Sequence, residues 1–288
     1  MSADYHQLLD ATIQHLESLK ARGVRNIVVA SETLRALALP PTRQNLEARI
    51  QKPEFVAPKS FAPPVATALA APQPLPERKI ANSKLKNFNE LRERALACVK
   101  CPSLASSRQN VVFGVGNLDA QLMFVGEAPG ADEDVQGEPF VGAAGQLLTK
   151  IISATGLSRG DVYIANILKC RPDMPPGESG NRKPTPVEMQ TCIPYLHEQI
   201  DLIKPQVLVA LGATAVEGLL GKTVGITKLR GQWQTYRGIP LMPTYHPAYL
   251  LHNQAMSEKR RVWEDMLAAM EKLGLPISDK QRNFFLKA

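Results

Sequence analysis

Leu122-Met123-Phe124-Val125 is an unbroken apolar run that stops at Gly126 and gives way to Glu127-Ala128-Pro129-Gly130. A short apolar run closed by glycine and proline is the pattern of a strand buried on both faces. A strand of that kind needs helices above and below it, and the sequence on its C-terminal side supplies them. Helical spacing runs from Leu147 to Ala154, Val162-Tyr163-Ile164-Ala165 reads as a second strand, and Val187 to Ile203 reads as a helix. Val207-Leu208-Val209-Ala210-Leu211 is a third strand, closed by Gly212 and followed by a short helix from Thr214. Ile239-Pro240-Leu241-Met242-Pro243-Thr244 is a fourth, whose prolines suit an edge or a strand end. An amphipathic helix over Met256 to Leu273 completes the pattern. Strands alternating with helices predict an α/β fold with a mostly parallel sheet covered on both faces.

On the N-terminal side the texture changes. Of 23 prolines, nine lie between Pro40 and Pro76 in a stretch that lacks glycine and is rich in alanine. Such a stretch favours extended backbone, so residues 40–82 read as a semi-rigid linker. The linker separates a small appendage, 1–39, from a catalytic-sized domain, 83–288. Leu8, Leu9, Ile13, Leu16 and Leu19 recur at helical spacing within 4–22, and Asn26 to Ala30 reads as a short strand. About 39 residues bury little core alone, which makes the segment a docking appendage or a partner-recruiting arm.

Three polar residues follow the strands of the sheet. Glu127 follows the first, Asn166 ends the second, and His246 follows the fourth within Tyr245-His246-Pro247. Ligands of open α/β sheets bind beyond the carboxyl ends of the strands, so these residues share one edge. Taken singly, Glu127 suits a helix N-terminus, Asn166 a turn and His246 a proline-defined corner. Together they offer a carboxylate for water or a developing cation, an amide that reads a donor–acceptor edge, and an imidazole that donates to a leaving oxygen.

The chain has four cysteines. Cys98 and Cys101 form a C-x2-C pair before Pro102, and Cys170 and Cys192 follow at a distance. Four in 288 residues are too few for a disulfide scaffold, and with none left over they suit a four-thiolate metal site. Zinc and an iron–sulfur cluster both accept such a set. Lys and Arg total 34 against 27 Asp and Glu, a net charge of +7 that is compatible with a polyanion partner without identifying one. No apolar run of about 18 residues predicts a membrane span, and the start of the chain lacks the form of a secretory signal, which predicts a cytoplasmic protein.

Gly126-Glu127-Ala128-Pro129-Gly130, Gly137-Glu138-Pro139-Phe140-Val141-Gly142, Asn166-Ile167-Leu168-Lys169-Cys170-Arg171-Pro172 and His246-Pro247-Ala248-Tyr249-Leu250-Leu251 occur in that order. With the four cysteines, they make residues 86–252 resemble the iron–sulfur uracil-DNA glycosylases, family 4 of their superfamily. The resemblance implies a three-layer α/β/α sandwich with a four-stranded, mostly parallel central sheet. It implies a [4Fe–4S] cluster of structural role on Cys98, Cys101, Cys170 and Cys192. It also implies hydrolysis of the N-glycosidic bond of deoxyuridine in DNA, leaving an abasic site for base excision repair. Phe140 would stack on uracil, Asn166 would bond its Watson–Crick edge, and Ala128 and Pro129 would line the base site. His246 would bond uracil O2, and Glu127 would position water, with Glu133 and Asp134 as secondary candidates. Leu250 or Leu251 would wedge into the duplex, and Lys169 and Arg171 would hold phosphates, Arg171 equally suiting support of the cluster loop. A glycosylase for another deaminated base such as hypoxanthine, and a non-catalytic iron–sulfur protein that binds DNA or carries electrons, are the competing expectations.

The chain departs from the family pattern in two places. His252 stands where arginine often follows the two leucines, and the Cys170–Cys192 interval is long, with its extra residues around 173–180. No histidine lies between those cysteines, so turnover is expected where a sister branch traps its substrate through one. The chain is expected to act as a monomer associated with a prokaryotic nucleoid. At the C-terminus, Gln281 with Phe284 and Phe285 loosely resembles a sliding-clamp-binding peptide. The expectation there is that both rings pack back on the domain and leave at most weak clamp contact.

Overall fold

The computed structural model describes residues 76–286 apart from 176 and 179. The appendage, its predicted helix and strand, and most of the linker lie outside those residues. The first described helix, α1 (Pro76–Leu96), begins inside the segment assigned to the linker. It is followed by α2 (Pro102–Ser107), β1 (Val115–Gly116), β2 (Leu122–Gly126), α3 (Ala131–Gln136), α4 (Ala143–Ala154) and β3 (Tyr163–Asn166). Next come α5 (Pro186–Ile203), β4 (Val207–Leu211), α6 (Ala213–Leu220), α7 (Ile226–Leu229), β5 (Gln234–Tyr236) and β6 (Ile239–Thr244). α8 (Pro247–His252), α9 (Met256–Lys272) and α10 (Asp279–Arg282) complete the described chain.

The strand order is β1-β3-β2-β4-β6-β5. The four expected strands form the parallel centre, with Met123 opposite Tyr163, Leu122 opposite Val207 and Leu208 opposite Leu241. Among the described residues the sheet nevertheless has six strands rather than four, because an antiparallel strand is added at each edge. β1 is two residues long, and β5 joins β6 through Arg237-Gly238, both at positive φ, as a two-residue hairpin requires. β6 is therefore not an edge. Pro243 lies past Leu241, where pairing with β5 stops, and its carbonyl accepts from the Gly231 amide at 3.2 Å.

Strand alternation builds the three layers. Met123 and Val125 face a cluster that contains Phe88 and Leu91 of α1, Leu196 and Ile200 of α5, and Val216 of α6. Leu122 and Phe124 face the opposite cluster, with Leu148 and Ile152 of α4 and Trp263 and Met266 of α9. Burying one such side chain is worth about 1.5–3 kcal/mol. The Phe88 ring meets Phe113 at 5.4 Å and Tyr163 at 5.9 Å, edge-on, which ties α1 and the Cys98–Cys101 corner after it to the sheet. α5 starts from a capping box in which the Thr185 hydroxyl accepts from the Glu188 amide while the Glu188 carboxylate accepts from the Thr185 amide. Because β2, β3 and β6 run parallel, Glu127, Asn166 and His246 leave the sheet at one edge.

Candidate active site

Gly126 ends β2 where it can carry no side chain. A Cβ there would lie 2.3 Å from the Asn166 Oδ1 and 2.7 Å from the Phe140 ring. Gly126 thus marks where the Asn166 amide and the Phe140 ring meet, and the backbone amides of Ile167 and Leu168 donate to the carbonyls of Gly126 and Glu127 at 3.0 and 3.1 Å. Asn166 is buried, and its Oδ1 has no hydrogen-bond partner. Leaving a buried acceptor open costs about 1–3 kcal/mol, so such an atom marks a place for an incoming donor. Phe140 is buried beside it with φ at 55°, a left-handed backbone that costs a non-glycine residue about 1–2 kcal/mol.

The rings of Phe140 and His246 lie 5.5 Å apart, tilted by 31°. His246 caps α8, and its Nδ1 accepts from the Ala248 amide at 3.2 Å. Burial pushes its pKa down to about 4, against a small opposing pull from Glu133. The imidazole is therefore neutral near pH 7, with Nδ1 as acceptor and its proton on Nε2. Gly212, which follows β4 at φ 93°, leaves room for it, since a Cβ there would lie 3.0 Å from the His246 Cβ.

Of the three carboxylates near this edge, two are already engaged. Asp134 is buried and accepts from the Gln109 and Asn110 amides. Glu133 accepts from the amides of Gly130, Val141 and Gly142 at 3.0–3.1 Å. Neither suits the secondary water-positioning role, because backbone amides hold both. Glu127, half-buried directly after β2, is the third, and Ala128 and Pro129 continue the same loop.

Cys98, Cys101, Cys170 and Cys192 line one small cavity with Leu104, Arg108, Leu168 and Thr191. The Arg108 guanidinium donates to the Cys170 Sγ at 3.0 Å and to the Cys98 carbonyl at 2.8 Å, and the Lys169 amide donates to the Cys192 Sγ at 3.2 Å. Burial raises the pKa of Cys101, Cys170 and Cys192, the last to about 11. Free thiols here would be protonated, and metal ligation would deprotonate them.

Lys169 does not suit a phosphate contact. Its side chain is fully buried, its Nζ donates to the Asn166 carbonyl at 3.0 Å and to the Gln199 Oε1 at 2.6 Å, and burial lowers its pKa to about 8. Gln199 in turn donates to the Phe113 carbonyl and the Tyr163 hydroxyl, so this network holds the end of β3 against α5. Arg171 donates to the Gly180 carbonyl at 2.8 Å and braces the loop that carries Cys170. Of the two leucines, Leu250 packs in the core with Tyr245 and Val262, and Leu251 is the exposed one. At the tail, Phe284 packs on Trp263 at 5.2 Å. Gln281 donates to the Ala154 carbonyl, accepts from Ser278 and offers its own carbonyl to Trp263, so its side chain is committed within the domain and does not suit clamp contact. Arg108 escaped the sequence reading, since an arginine after a short helix gives no hint that it faces sulfur.

The family model of the uracil DNA glycosylase superfamily matches residues 113–267. The chain is 48% identical to a type-4 uracil-DNA glycosylase of Thermotoga maritima, over 60% of this chain and 88% of that protein. It is 39% identical to a type-4 uracil-DNA glycosylase of Archaeoglobus fulgidus, over 61% and 88%. Similarity extends at 30% to a type-5 uracil-DNA glycosylase of Pyrobaculum aerophilum, over 57% and 83%.

Proposed function

The chain belongs to the uracil DNA glycosylase superfamily and, within it, to the type-4 uracil-DNA glycosylases, and from the pocket at its strand ends we propose how it removes uracil from DNA. The carrying observation is the open Asn166 Oδ1 beside the buried Phe140 ring. A target base reaches such a pocket only by leaving the stack. Phe140 stacks on the everted base, Asn166 Oδ1 accepts the uracil N3–H, and the Asn166 amide nitrogen donates to O4. Cytosine presents an unprotonated N3 and an amino group at the same places. It would leave buried polar groups unpaired, a mismatch that discriminates by several orders of magnitude.

Cleavage of the glycosidic bond sends its electron pair to the base and leaves positive character on the sugar. The neutral His246 donates from Nε2 to uracil O2, where negative charge collects as the base departs. Glu127 positions the water that adds to the sugar carbon, accepts the proton which that water sheds, and offsets the developing cation. Leu251, exposed at the end of α8, fills the gap left in the duplex. DNA as the substrate supports the expectation of an enzyme that works at the chromosome.

Cys98, Cys101, Cys170 and Cys192 would hold a [4Fe–4S] cluster. The donors from Arg108 and the Lys169 amide to sulfur support thiolate ligands. All four cysteines line one cavity, a set that zinc and an iron–sulfur cluster both accept, and the resemblance to the iron–sulfur glycosylases favours the cluster. The cluster would be structural, joining the α1–α2 corner to the loop after β3 and to α5. His246, Asn166 and Phe140 meet, with Glu127 at the same sheet edge, without any need from a cluster, which disfavours a protein that only binds DNA or carries electrons.

The test is incubation with oligonucleotides carrying one uracil, one hypoxanthine or only normal bases, followed by alkali. Strand scission at uracil alone is expected. Scission at hypoxanthine with none at uracil would replace the substrate.

A further inference from the structure

Four non-glycine residues of the described chain have positive φ: Phe140, Lys204, Arg237 and Phe285. Lys204 ends a helix, Arg237 sits in a hairpin turn, and Phe285 is exposed. Phe140 alone is buried, and it carries the ring that faces Asn166 and His246. Something must hold its backbone in a conformation that phenylalanine does not choose.

Two side chains of opposite charge grip the chain on either side of it. Before and at Phe140, the Arg159 guanidinium donates to the Pro139 carbonyl at 2.8 Å and to the Phe140 carbonyl at 3.2 Å. After it, one oxygen of Glu133 accepts from the Val141 and Gly142 amides at 3.0 and 3.1 Å. Arg159 is anchored in turn on Thr149, whose hydroxyl donates to the Gly145 carbonyl at 3.0 Å. Gly145 approaches so closely that a Cβ on it would lie 1.9 Å from the Phe140 oxygen. Arg159 forms no ion pair among the described residues, and burial lowers its pKa. A half-buried guanidinium whose hydrogen bonds go to two successive carbonyls and one hydroxyl serves the shape of that loop.

We propose that Arg159 and Glu133 are positioning residues that brace the Phe140 backbone from both sides and so set the plane in which the base-stacking ring lies. The assignment rests on Phe140 being the ring that stacks on uracil. Neither side chain touches the base. Each acts through the backbone on either side of Phe140.

The test is a double-mutant cycle in single-turnover excision of uracil from a single-stranded oligonucleotide, with the thermal midpoint of each variant measured alongside. Arg159→Lys keeps the charge but loses the fork, and is expected to slow excision about tenfold with little change in midpoint. Phe140→Ala is expected to slow excision further. Adding Arg159→Lys to Phe140→Ala should change the rate by no more than about twofold, because the ring through which Arg159 acts is gone. Glu133→Gln should show the same dependence on Phe140 from the other side of the brace, and it carries the test if Arg159→Lys lowers the midpoint sharply. If Arg159→Lys and Glu133→Gln each cost as much without the Phe140 ring as with it, the brace is overturned and the pocket stands. If Phe140→Ala excises at the wild-type rate, the stacking role of Phe140 itself is overturned, and the brace with it.

Discussion

The base pocket and the cysteine corner are two polar sites in one domain, and they are held together in different ways. The pocket stands on the parallel centre of the sheet. Its residues leave β2, β3 and β6 at one edge, and the strand registers fix their separations before any ligand arrives. One atom, the Asn166 Oδ1, is left open. The cysteine corner gathers the end of α1, the start of α2, the loop after β3 and the side of α5. Those pieces are joined by core packing and by two hydrogen bonds to sulfur. The pocket is ordered by backbone, whereas the corner, on the proposed reading, is closed by the cluster that its cysteines would hold. Changes in the pocket should therefore cost rate without stability, and changes at the corner should cost stability first.

The sharpest contrast comes from His246→Ala. Removing a single donor to developing charge costs about 10²–10³ in rate, and the thermal midpoint should stay within a few degrees of wild type. A variant that cuts normally would remove His246 from the mechanism. Gly126→Ala comes next, because the added Cβ pushes at both Asn166 and Phe140. A displacement on the order of 1 Å costs about 10² in rate, and the cluster absorbance should remain. At the corner, Cys192→Ser should bleach the visible absorbance and lower the midpoint by several degrees, with excision falling in step with the folded fraction. A colourless variant with unchanged midpoint would deny the cluster its structural role.

The smallest effect is in pH. His246 is neutral in the fold down to about pH 4, whereas a free imidazole protonates near 6.5. Its stabilising contribution is fully present above the unfolded value of 6.5 and is lost as pH falls toward 4, because the unfolded chain takes up the proton first. Its Nε2 donor survives over the same range, so the excision rate should show no inflection from His246 near 6.5. Such an inflection, abolished in His246→Ala, would contradict the neutral ring.

Most of the centre of the fold is legible in the sequence, for a local reason. Each parallel strand is a short apolar run that ends at a glycine, an amide or a proline-defined corner, and those ends are the pocket. β1 and β5 are too short to show alternation, so the edges of the sheet escape notice. Lys169 shows the limit of motif reading. Its charge suggests phosphate, yet Gln199, thirty residues away, takes its hydrogen bond inside the core. Phe140 can be read as an aromatic in a glycine-bounded loop, but its left-handed backbone and the two charges that grip it exist only after folding. Leu250 and Leu251 are equivalent on paper, and packing against Tyr245 and Val262 separates them.

On the proposed mechanism, the open amide of Asn166 reads the base. Asn166→Ala, assayed by single-turnover excision from a uracil oligonucleotide with cluster absorbance and thermal midpoint recorded on the same preparation, tests it most directly. A fall in excision of about 10³ or more, with absorbance and midpoint unchanged, is expected. Excision within a few-fold of wild type, on an intact fold, would contradict the account.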